Sequence, residues 1–200
     1  MSLAPYDPFI GQHLKTHAGE TTVDRAYIAH YVIPAAKATA AGAANVLAAT
    51  ALTTAAQDII TGITQPPTPR VLSITGSAST AVGNVVITGT DAAGAALSET
   101  IVSTGAATVV GTKAFATVTK ITLPLLASPN GETISVGLAG AFGLPYKLPY
   151  DTIIKMFNGG QVATVVSATS SFDAVNLSEN YIDPSVALDP TKQVDVYLIV

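Results

Sequence analysis

From Val71 onward the chain repeats one local design. Short runs rich in Val, Ile and Thr ("RVLSIT", "NVVITGT", "LSETIVS", "ATVVGT", "KITLP" and "TISVGL") are separated by turn residues. They recur about 10 to 14 residues apart, the rhythm of short strands joined by tight connections. A parallel sheet would need a crossover helix between successive strands, and no segment between these runs has room for one. The fold expected is therefore mainly β, an antiparallel β-sandwich or barrel with little helix.

The turn chemistry agrees. "TDAAGAA" carries Asp91 and Gly94 between two runs, "SPNGE" (Ser128–Glu132) contains Asn-Gly, and "NGG" lies at 158–160. Asn-Gly is a strong hairpin signal because both residues tolerate positive φ. The triplet Ile-Thr-Gly occurs at Ile60, Ile74 and Ile87. Each copy is read as a strand end at which glycine lets the chain turn. The chain closes on "QVDVYLIV", whose alternation puts Val194, Val196 and Leu198 on one face. So apolar a strand must pair and pack, so it is expected at the centre of a sheet or at an interface.

The first 68 residues are less regular. Residues 1–30 are expected to form an extended N-terminal arm with a short helical turn near Thr21–Ala29, and "HYVIP" is a candidate first strand ended by Pro34. Residues 31–68 form an Ala/Thr-rich segment followed by the proline-rich connector "ITQPPTPR". The β body then spans residues 69–200. Twenty residues between Lys37 and Asp58 carry no charge. Their Ala, Thr, Gly, Asn and Gln content is too weakly apolar for a membrane span. A short helix is allowed around Leu52–Asp58. The opening residues lack the basic and apolar regions of a secretory signal peptide, so none is expected.

Composition narrows the function classes. Charged residues make up 11% of the chain and the formal net charge is −4. An ordinary soluble domain carries about 25% charged residues, and a nucleic-acid binder is basic. The 33 Ala and 26 Thr leave a weakly hydrated surface, which favours self-association. There is no Cys, hence no disulfide or thiolate site. Nucleophile-elbow, phosphate-loop and dinucleotide motifs are absent.

His13 and His17, with Glu20 and Asp24, have helical spacing for a metal, but Gly19 and the neighbouring threonines weaken the helix. No metal or other cofactor is expected. Glu99, inside a strand run, is expected to pair at the surface with Lys113 or Lys120. Asp91 is read as a turn residue. Among the aromatics, Tyr6, Phe9 and Ile10 in the arm and Tyr146 and Tyr150 around "KLP" are the candidate partner-interface residues.

The segments "ITQPPTPRVLSITG", "VVITGTDAAGAALSETI", "GTKAFATVTKITLP", "GLPYKLPYDTIIK" and "VDVYLIV" together resemble virion structural proteins of tailed phages and prophages. The likeness spans about residues 61–200 and is nearest to head decoration, or cement, proteins. It implies a non-enzymatic protein on the capsid exterior, assembled in the host cytoplasm. It also implies a homotrimer that bridges subunits of the major capsid protein, with no nucleic-acid or membrane partner. The alternative role is a tail-tube subunit, or a head-fibre or adhesion module that binds host glycans.

Overall fold

A computed structural model describes residues 26–200, together with the backbone of β1 (Leu14–Lys15) and β2 (Thr22–Val23), which pair antiparallel. Tyr6, Phe9, Ile10 and the His13/His17 pair lie outside the described residues. The chain is all antiparallel β, and among the described residues its helical content is three single 3-10 turns. Among the described residues no helix is long and apolar enough to cross a membrane.

The expected strands form and divide between two facing sheets. Sheet I has the order β5 (Gln57–Ile59), β10 (Thr117–Leu123), β7 (Val82–Thr90), β8 (Ala96–Thr104). Sheet II runs from β9 (Thr108–Phe115) through β6 (Arg70–Gly76) to β11 (Thr133–Gly143). The far side of β11 is shared by β4 (Gly42–Ala51) and β14 (Tyr181–Ile182). Alternate residues point inward, so Leu72 and Ile74 of β6 meet Val85 and Ile87 of β7, with Phe115, Ile121 and Ile134 between them. This is the sandwich core.

A third sheet lies beyond the sandwich. Sheet III has the order β13 (Gln161–Ala163), β12 (Ile153–Asn158), β15 (Val194–Ile199), β3 (Ile28–Ile33). Val194, Val196 and Leu198 are fully buried, as their alternation implies, beside Ile33, Met156 and Phe142 in a second core. β15 is central, with β12 on one side and β3 on the other.

Four expectations change. The Ala-rich segment is the ten-residue strand β4, and no helix forms at residues 52–58. Alanine conceals this strand, because its inward and outward copies look alike. The described residues that precede Pro34 are extended rather than helical, and β3 begins at Ile28, inside the expected arm. Asn130-Gly131 makes a turn (Gly131 φ 86°), but it joins β10 of sheet I to β11 of sheet II instead of closing a hairpin. The turn is held by the Glu132 carboxylate, which accepts from the Asn130 N–H at 2.5 Å and the Thr80 hydroxyl at 2.7 Å.

The last change concerns the Ile-Thr-Gly triplets. The first follows the expected chemistry, since β5 stops at Ile59 just before Gly62 (φ 72°), whereas the second ends β6 at Gly76 but sits where a Cβ would fall 2.4 Å from the Gly105 carbonyl oxygen. The third lies inside β7. A Cβ at Gly89 would fall 1.9 Å from the Thr117 carbonyl oxygen, because β10 bulges between Val118 and Lys120 and presses its backbone onto β7. This glycine answers a close approach, not a turn.

Candidate functional site

Two ionisable side chains are buried between sheets. Arg70 opens β6 and is fully buried. Its guanidinium donates to the Thr39 carbonyl at 2.6 Å and to the Ala139 carbonyl of β11. Burial pulls its pKa down to about 10, partly offset by the Asp183 charge, so it is a cation at neutral pH. Thr39 belongs to the link between β3 and β4, so this side chain ties sheet III to the sandwich. The sequence signal is a single arginine between a proline-rich connector and an apolar strand.

Glu99 is the second, and its expected role is overturned. It is only 8% exposed and forms no surface ion pair. Lys113 reaches the Ser98 carbonyl instead, and Lys120 pairs with Asp58 at 3.3 Å. Consecutive strands β8 and β9 belong to different sheets and splay apart. In the gap, Glu99 Oε1 accepts from the Thr112 N–H at 2.5 Å and from its hydroxyl at 3.1 Å, supplying the acceptor that a ladder would have provided. Oε2 has no partner and lies over Gly111, where a Cβ would come within 2.6 Å. Burial raises the Glu99 pKa, against the opposing pull of the Thr112 hydrogen bonds and Lys113.

The sign of the resulting pH effect follows. A carboxyl whose folded-state pKa lies above its unfolded value favours the fold when protonated. Its contribution therefore declines as pH rises from 4.5, the ordinary glutamate value, through the raised one. Asp173 and Asp189 act in the opposite sense and lower down. Backbone N–H groups hold both below the ordinary 3.8, so their contribution is lost as pH falls through their depressed values. The melting temperature is expected to pass through a maximum on the acid side of neutral. Glu99→Gln should flatten the decline above pH 4.5 while leaving the acid limb intact. A melting series in pH that keeps that decline in Glu99→Gln would exclude Glu99 as its source.

The outer face of sheet II carries a groove. It has a volume of about 270 Å³ and is lined by Val71, Val110, Ala139, Ala141 and Tyr181, with Thr169 and Asp183 at its rim. Asp183 accepts from the Thr169 hydroxyl at 2.7 Å and packs against Gly140. A shallower hollow shares Val110 and Ala139 and continues over Ser73, Thr108 and Gly42. Together they make a face of small uncharged side chains with one carboxylate at the edge.

The remaining candidates are scattered. Tyr146 is half-buried against the second core, while Tyr150 is exposed in the loop before β12. Asp91 is a turn residue, accepting from the Ala93 and Ala95 N–H groups at 2.9 Å. Among the described residues, no group of three or more His, Asp or Glu side chains could hold a metal ion. A feature that went unread is the row on the solvent face of sheet III. His30 stacks on Tyr197 at 4.4 Å and bonds Asp195 at 2.8 Å, and Phe157 meets Tyr197 edge-on. These residues are far apart in sequence, and only strand register brings them together.

Comparison of the chain with known protein families, with curated proteins and with solved structures finds no match.

Proposed function

We propose that the chain is a non-enzymatic structural protein of a virion, a capsid decoration or cement protein that binds the outer head surface and bridges neighbouring major capsid subunits. The observation that carries this reading is the uncharged outer face of sheet II. Thr75, Thr108 and Val110 stand on it over the buried Ser73 and Ala139, and Val110 is 55% exposed at its middle. Small side chains on a rigid sheet allow close approach over a broad area at little desolvation cost. The low charge of the whole chain points the same way, and the sequence resemblance supplies the virion setting.

The test mixes purified chain with heads that lack it. The chain should sediment with the heads and raise the temperature at which they open. Val110→Lys, which buries a charge at the centre of the contact, should weaken binding at least about tenfold. Heads that neither bind the chain nor gain stability would remove this reading. Equal binding by Val110→Lys would move the contact away from sheet II.

A further inference from the structure

We propose that the chain forms a two-fold homodimer through the free edge of β3, joining the sheets III of two copies into one eight-stranded antiparallel sheet. The inference rests on backbone geometry and is independent of the virion reading.

β3 is the outermost strand of its sheet. It pairs with β15 over six consecutive residues without a bulge. Tyr27 and Val200 exchange both backbone hydrogen bonds, at 3.1 and 2.9 Å. That pair fixes the phase: Tyr27, Ala29, Tyr31 and Ile33 bond inward to β15, so Ile28, His30 and Val32 direct their N–H and C=O groups outward. Among the described residues nothing pairs with that outer edge.

Monomeric proteins guard such an edge with lysine, proline, a bulge or extreme shortness. Within β3 none of these occurs. The other edges differ. β5 and β13 have three residues each, β8 and β9 lean on one another across the Glu99 gap, and β4 carries two register shifts and is bonded by Thr64. Exposed apolar residues flank β3 instead: Ile28 is 68% exposed, with Tyr27, Ile199 and Val200 beside it.

The occupant follows from self-complementarity. In an antiparallel pair, outward-bonding residues must meet outward-bonding residues. Centring two copies on His30 places His30 opposite itself and Ile28 opposite Val32, so all three pairs are in phase and both apolar pairs match. A two-fold axis demands this matching of one patch with itself. Each His30 keeps the carboxylate of its own Asp195 at 2.8 Å, so both facing imidazoles retain their partner.

The chain has no cysteine, which makes a single engineered thiol diagnostic. Residues opposite one another in a hydrogen-bonded pair have Cα atoms about 5.5 Å apart, within the span of a disulfide. Under mild oxidation, full-length His30→Cys should become a covalent dimer. Val162→Cys, also solvent-exposed and at the other edge of the sheet, should remain mostly uncrosslinked. Sedimentation of the unaltered chain should give twice the chain mass. Val32→Pro removes one outward N–H per copy and none of the β15 bonds, and should weaken the dimer at least about tenfold without lowering the melting temperature to match. Crosslinking of His30→Cys no faster than Val162→Cys would overturn the proposal. So would a monomer in sedimentation that dimerises only when residues 1–25 are deleted, because the edge would then be covered by the chain's own beginning. A trimer whose mass is unchanged by Val32→Pro would also overturn it.

Discussion

Replacing Arg70 with alanine should lower the melting temperature by about 10 °C or more. The change opens a cavity at a fully buried site and leaves the Thr39 and Ala139 carbonyls without donors. A large side chain cut to alanine in a core costs about 2–5 kcal/mol. Each orphaned buried acceptor adds about 1–3 kcal/mol. Relief from holding a desolvated cation, visible in the pKa pulled to about 10, offsets part of this. For a chain of this length each kcal/mol moves the midpoint about 2–4 °C. Arg70→Met restores most of the volume but no donor, so it should recover the cavity share alone. Arg70→Lys carries one ammonium where two carbonyls diverge, and should also fall short. Calorimetry on the three variants separates packing from hydrogen bonding. If methionine were as stable as arginine, the side chain would be a filler and not a tie between sheets.

Removal of residues 194–200 is expected to have the larger structural effect. β15 is hydrogen-bonded on both sides, and its three inward residues are fully buried. Burial of such side chains contributes about 1.5–3 kcal/mol each, against a net stability of about 5–15 kcal/mol for a whole domain. Sheet III cannot survive this loss, since β3 and β12 touch each other only through β15. The sandwich core draws on a separate set of residues. The truncated chain should therefore lose protease protection over residues 28–33 and 153–192 while a fragment near residues 42–143 persists. Uniform protection along the truncated chain would show β15 to be peripheral. Complete digestion would show that the sandwich depends on it.

Much of this architecture is legible where runs rich in Val, Ile and Thr are bounded by turn residues, as in β6 to β11, or where side chains alternate in character, as in β15. β4 has the same pleat but spells it in alanine, so the signal vanishes although the strand is among the longest. Gly89 was misread because a glycine needed for a close approach is spelled like one needed for a turn. Glu99 was misread for a related reason. A carboxylate on a strand beside lysines looks like a surface pair until the splay of β8 from β9 is known, and that splay is a tertiary property. Asn130-Gly131 signals a reversal correctly but not which sheet the chain enters next. The candidate site was less legible than the fold. Tyr146 serves the second core, and the Arg70 anchor and the sheet II groove arise from strands brought together by register.

β3 and β15 are neighbours in space but lie far apart along the chain: His30 and Asp195, in direct contact, are 165 residues apart. A chain made from its N-terminus outward has β3 before the sandwich strands, and β3 waits for its partner until all of them have been made. The sandwich strands, whose partners arrive sooner, can condense in the interval, and domains do fold as units in that order. The entropic cost of closing so long a loop grows only slowly with its length, but it must be met before the non-local contacts reward it. During that wait both edges of β3 are open. The third sheet thus closes after the sandwich, and the edge proposed to meet a second copy stays open through that interval.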